Sequence, residues 1–255
     1  MGFYDFSKEK RKKIVQEMEN NIKREIEKCF LSETSFLLKY ASEEDVYIRK
    51  NTYIIIGRLY NSIKDLRHNI LHILKLMFHK EDLKVKQTAI YAWGEIGKKD
   101  FENIIKNMEI ALKEGNSEIG NAIIGALKQM GEKNPVPTLE FAKKYINDPN
   151  PEIRRQIIHG IELRGRSHPE DILYLLEKVQ NEENKRVRDM IIHVIGQISY
   201  KKGCLEKVIL NLKQWKNKKL VEDALYEILD VHKRYKFSYQ SYKTAEQYIK
   251  KEFNF

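Results

Sequence analysis

Four residues stand where chemistry is possible: His159, Glu162, Asp189 and His193. On an α-helix, His159 and Glu162 share one face at a spacing of three, and Asp189 and His193 share one at a spacing of four. Two imidazoles and two carboxylates form a donor set that suits iron or zinc. The same four can instead make structural His–carboxylate hydrogen bonds between neighbouring helices. In a third reading they belong to a ligand-facing cluster, with Arg155, Arg166, Tyr200 and Arg234 gripping phosphates while His159 and His193 reach the ligand.

The elements that position these residues repeat along the chain. His159 and His193 are 34 residues apart, and so are successive members of the series Val85, Ile119, Ile153, Val187 and Val221. Four positions further on stand Ala89, Ile123, Ile157, Ile191 and Leu225; eight positions on stand Trp93, Leu127, Ile161, Ile195 and Leu229. Apolar residues at i, i+4 and i+8 make a helical stripe. A fixed period of this length predicts stacked two-helix units. The expected fold is all-α: a right-handed α-α superhelix of about six two-helix repeats, in one continuous domain. Residues 7–30 are expected to form an N-terminal capping helix, 31–236 the repeats, and 237–255 a C-terminal cap with a short helix near Ala245–Phe253.

Local signals support these boundaries. Asp45, Asp82, Asn116, Asn150 and Asn184 each precede the phase position by three, where a side-chain oxygen can accept the free N–H groups of the first helical turn. Repeat six has Lys218 there. Gly131 and Gly165 are expected as C-caps. Pro135, Pro137, Pro149, Pro151 and Pro169 are expected in turns or first helical turns.

Hydrophobic residues make up 42% of the chain and charged ones 33%, enough apolar material for a packed core. The net charge of +10 favours anionic partners, namely nucleic acid or an acidic protein surface. Cys29 and Cys204 lie far apart and outside any CxxC pair, so neither a zinc ribbon nor a disulfide scaffold is signalled. No apolar run approaches the ~20 residues that span a bilayer, and the charged N-terminus lacks an apolar signal core. The expectation is a cytoplasmic chain without a membrane partner.

The strings DLKVKQTAIYAWGEIG, NPEIRRQIIHGIEL and NKRVRDMIIHVIGQIS resemble HEAT and HEAT-like repeats, members of the armadillo-type folds. That pattern has a polar cap, then Val-Arg, then an apolar stripe ending near Gly. The basic position recurs as Arg49, Lys86, Arg154 and Arg188, and lapses at Gly120 and Glu222. The resemblance implies that second helices line a concave face. Positions opposite the stripe in repeats four to six then present Arg155, His159, Glu162 and Arg166; Asp189, His193, Gly196 and Tyr200; and Asp223, Glu227, Asp230 and Arg234. HEAT-like di-iron hydroxylases use adjacent His-Glu dyads, and this chain has no His-Glu dipeptide. No metal and no cofactor are therefore expected. Basic clusters close successive helices: Arg164–His168, Tyr200-Lys201-Lys202, Lys216–Lys219 after Trp215, and His232–Lys236. They are expected on one rim, with Tyr200, Tyr235 and Trp215 interleaved.

Residues 150–236 also resemble the DNA alkylation repair family. The matching features are Ile153-Arg154-Arg155 followed by Gly160 and Arg164, then Val187-Arg188, the run Ile198-Ser199-Tyr200-Lys201-Lys202, and Trp215. The resemblance implies a surface that grips the DNA backbone and, in some members, excision of cationic alkylated bases. That chemistry wants a carboxylate beside aromatic rings. Enzymatic members carry paired tryptophans just before an essential aspartate. Here Trp93 is followed by Gly94-Glu95, and no tryptophan neighbours Asp189.

The expected function is a non-catalytic recognition scaffold that binds DNA or another polyanion through Arg155, His159, Arg166, His193, Tyr200, Lys201, Lys202 and Arg234. The alternatives are an alkylpurine DNA glycosylase, with Glu162 or Asp189 stabilising the cationic transition state, and a protein–protein adaptor.

Overall fold

The structure, a computed structural model, describes residues 2–253 and is all-helical, with no strand among the described residues. The expected all-α class is what the chain adopts. Ser7 caps α1 (Lys8–Lys28) through Lys10 N–H. The helices that follow pair as short and long partners: α2 (Phe36–Ala41) with α3 (Val46–Ser62), α4 (Arg67–Phe78) with α5 (Leu83–Gly97), and α6 (Ile105–Leu112) with α7 (Ser117–Lys133). Next come α8 (Pro135–Tyr145) with α9 (Pro151–Gly160) and its short continuation α10 (Glu162–Gly165), then α11 (Glu170–Lys178) with α12 (Lys185–Gln197). The chain closes with α13 (Cys204–Leu212), α14 (Lys218–Arg234) and α15 (Tyr242–Phe253). The helices gather into two compact units, Met1–Met130 and Gly131–Phe255. In the first, α5 lies on α3; in the second, α9 and α14 flank α12.

The periodic stripe is the core. All fifteen phase residues from Val85 to Leu229 are buried, with Leu229 the most exposed at 7%. The polar caps act as expected: Asp45, Asp82, Asn116, Asn150 and Asn184 accept first-turn backbone N–H groups. Repeat six keeps its cap one residue earlier, where Asn217 accepts from Leu220 N–H. The basic position after the phase residue is structural. Arg154 donates to the carbonyls of Asp148 and Pro149 and grips Glu182 with both Nε and Nη2. Arg49 donates in the same way to the carbonyls of Glu43 and Glu44. Each arginine thus ties its own helix to the turn before it.

The two expected C-cap glycines do other work. Gly131 lies inside α7, and Gly165 ends α10 without a left-handed φ. Gly165 is a contact glycine: a Cβ there would stand 2.3 Å from Ile172 Cδ1 and 2.8 Å from Ile198 Cγ2. Gly165→Ala is therefore expected to overpack the joint between repeats four and five and cost about 1–3 kcal/mol. Urea denaturation should show a lower midpoint with the same m-value. An unchanged midpoint would mean that these isoleucines have room to move.

Candidate functional site

The second unit brings its polar residues together on the exposed side of α9, α10, α12 and α14. Four positions beyond Ile157, at Ile161, the helix breaks and restarts as α10. Glu162 opens α10, and its carboxylate is only 1% exposed. The opposite-face expectation fails for this residue, because His159, His193 and Arg166 lie against it.

Two imidazoles and a guanidinium are among the groups that meet Glu162. His159 Nε2 is 3.2 Å from Oε2, and His193 Nε2 is 3.8 Å from the same oxygen. Arg166 Nη2 is 2.5 Å from Oε1. The two imidazoles stand edge to face with centroids 5.9 Å apart, so equal register does bring the histidines together. Nδ1 of His159 is buried and has no hydrogen-bond partner among the described residues. Nδ1 of His193 faces Glu227 Oε1 at 3.9 Å.

That last approach depends on Gly196, where a Cβ would stand 2.6 Å from Glu227 Cγ. Burial pushes the Glu227 carboxyl above its usual range, with Arg234 opposing and Asp230 reinforcing the shift. Arg234 donates to Glu227 at 3.2 Å and is also paired with Asp230.

Arg166 also donates to Gln197 Oε1 at 3.0 Å, an oxygen that Tyr235 OH reaches at 3.0 Å. Its guanidinium lies 5.9 Å from the Tyr200 ring centroid. Tyr200 meets Tyr235 edge to face at 5.3 Å. One polar network therefore runs from His159 through Glu162, Arg166 and Gln197 to Tyr235.

Asp189 takes no part in the contacts around Glu162. It is exposed and pairs with Lys185 at 3.6 Å. Arg155 is held by Glu152 through two hydrogen bonds, of 2.9 and 2.6 Å, and that pairing holds the Glu152 carboxyl below its usual range. The candidate phosphate ligands thus divide. Arg155, Arg166 and Arg234 already carry carboxylate partners, and His159 and His193 both face Glu162.

Lys201 and Lys202 differ. Both are exposed, and no carboxylate pairs with either among the described residues. Lys201 donates to Ser167 Oγ, and the Lys202 ammonium stands 5.7 Å from the Tyr239 ring centroid. Tyr239 N–H donates to the Tyr200 carbonyl at 2.9 Å, bringing the end of α14 beside the end of α12. Lys233 and Lys236 follow on that same end, exposed and without a carboxylate partner among the described residues, beside Phe237 at 92% exposure.

The expected single rim is only partly correct. Trp215 is fully buried, with its indole N–H donating to Asn211. The backbone N–H groups of Lys216 and Asn217 donate to Gln180, at the far end of α11. Successive helices run in opposite directions, so the turn before α14 lies at the other end of the unit from Lys201 and Lys236. Basic clusters that close first helices and those that close second helices thus lie at opposite ends.

His232 anchors the turn that carries Tyr235 and Phe237. Its Nδ1 lies 2.7 Å from Ser238 Oγ and 3.1 Å from the Gln240 carbonyl, and Nε2 is 3.4 Å from Ser199 Oγ. Burial lowers its pKa below the ordinary 6.5, against the opposing hydrogen bonds to Gln240 and Ser199. With the folded pKa depressed, the unfolded chain takes up the proton first, so stability is lost as pH falls below the unfolded value of about 6.5. The urea midpoint should drop through this range, and it should drop less in His232→Gln. Equal slopes in the two proteins would contradict the assignment.

No protein-family model and no curated protein matches the chain. Solved structures are similar to it, among them two from Streptococcus mutans. The X-ray crystal structure of AlkD2 from Streptococcus mutans gives a TM-score of 0.49 at 17% identity, covering 84% of this chain and 96% of that one. The crystal structure of smu.31 from Streptococcus mutans UA159 gives 0.48 at 18% identity, with the same two coverages.

Proposed function

We propose that this protein is a non-catalytic helical-repeat scaffold that binds DNA through the basic, aromatic rim of its second unit. The observation that carries the reading is the set Lys201, Lys202, Lys233 and Lys236. All four are exposed and without carboxylate partners, and they stand among Tyr200, Tyr235, Tyr239 and Phe237. Unpaired lysines release counterions when they meet phosphates, and rings beside them add contact to sugars and bases. The arginines of the helix faces contribute less, because a phosphate must compete with the carboxylate each already holds.

The placement of Glu162 favours binding over base excision. A glycosylase carboxylate must face the sugar of the extruded nucleotide, whereas Glu162 is 1% exposed and engaged by Arg166 and His159. Asp189 is exposed, with Lys185 as its partner and no aromatic ring contact.

Fluorescence-anisotropy titration of labelled duplex DNA, intact and alkylated, tests the proposal. Binding at about micromolar concentrations or tighter, weakening linearly in log–log terms with salt, is the expected result. Equal affinity for the two duplexes fits a scaffold. Preference for the alkylated duplex together with released base would replace the scaffold with a glycosylase. Absence of binding at low salt would overturn the DNA reading and leave an acidic protein as the partner.

A further inference from the structure

We infer that His159, Glu162 and His193 form a binding site for one divalent metal ion of the zinc class. Each residue offers a ligand atom, and the three atoms lie within 4.8 Å of one another. Zinc bonds of about 2.0–2.1 Å in tetrahedral geometry separate neighbouring ligand atoms by about 3.4 Å. The 3.2 and 3.8 Å separations from Glu162 Oε2 to the two Nε2 atoms fall on either side of that figure. The third side, between the two imidazoles, is no longer than 4.8 Å.

The surroundings are those a ligand set needs. Arg166 holds Oε1 of Glu162, which fixes the carboxylate and leaves Oε2 turned toward both imidazoles. Glu227 faces Nδ1 of His193, the position from which a carboxylate orients a metal-bound histidine through its other nitrogen. Imidazole and carboxylate donors without thiolate suit zinc, and also iron(II) or cobalt(II). Three protein ligands leave a coordination position open, and His193 at 41% side-chain exposure puts it at the surface.

The test uses the full chain, stripped with a chelator and titrated with cobalt(II), then with zinc. One equivalent of cobalt should give visible d–d absorption that zinc abolishes. His193→Ala and His159→Ala should each lose this signal while keeping a native circular dichroism spectrum. Glu227→Gln should keep the spectrum of the bound ion but weaken affinity by about 10–100-fold, as loss of an orienting partner does. Absence of saturable one-to-one binding, or binding unchanged by both histidine substitutions, overturns the site. The titration contains no DNA, so its failure leaves the DNA reading as it stood.

Discussion

Glu162→Ala is expected to lower the unfolding free energy by about 3–5 kcal/mol, whereas Asp189→Ala should change it by less than about 0.5 kcal/mol. Both carboxylates stand near the histidine pair in the 34-residue register, yet their surroundings differ. Glu162 is buried and compensates Arg166 at 2.5 Å while meeting two imidazoles. Its removal leaves a guanidinium, only 28% exposed, without its carboxylate, and a charge stripped of its buried partner is costly. Glu162→Gln keeps the volume and should cost less than alanine. Asp189 makes a surface pair with Lys185, and such pairs contribute little. Urea denaturation of the three variants provides the comparison. Equal losses for Glu162→Ala and Asp189→Ala would mean that the network around Glu162 does not hold the repeats together.

Trp215→Ala should also be severe, at about 3–5 kcal/mol. The indole is fully buried, donates to Asn211 at 2.9 Å, and sits under the turn that Gln180 ties to α11. At a temperature where the variant remains folded, its DNA affinity should match that of the unaltered chain, since this turn lies at the end opposite Lys201 and Lys236. A selective loss of DNA binding with stability intact would put Trp215 back on the binding surface.

Much of the fold was legible because each repeat carries the same signals. The apolar stripe from Val85 to Leu229 marks the buried face. The Asp and Asn caps mark where five of the second helices begin; in the sixth, where Lys218 breaks the pattern, only the structure shows Asn217 as the cap. The site was legible only in part. Equal register brings His159 beside His193. Glu162 is buried where the helix is interrupted at Ile161, directly after Gly160, and the stripe alone does not show which side chains cover it.

Glu227 joins His193 only because Gly196 lets α14 come close, and a glycine inside a helical stripe does not reveal which side chain approaches it. The rim was misread for a topological reason: alternate helix ends point in opposite directions, so basic clusters that recur along the chain need not be neighbours. Nor does sequence show which cations are spent. Arg155 and Arg166 resemble phosphate ligands until Glu152 and Glu162 are seen to hold them.

In the proposed function, four lysines at one end of the second unit, without carboxylate partners among the described residues, meet DNA phosphates. The most direct measurement is the slope of log affinity against log salt for the unaltered chain and for a variant with Lys201, Lys202, Lys233 and Lys236 all changed to alanine. Each lysine that neutralises a phosphate contributes about 0.9 to that slope. The variant should therefore bind more weakly, with a slope shallower by up to about 3.6. Parallel lines at equal affinity would show that DNA, if bound at all, lies elsewhere on the protein.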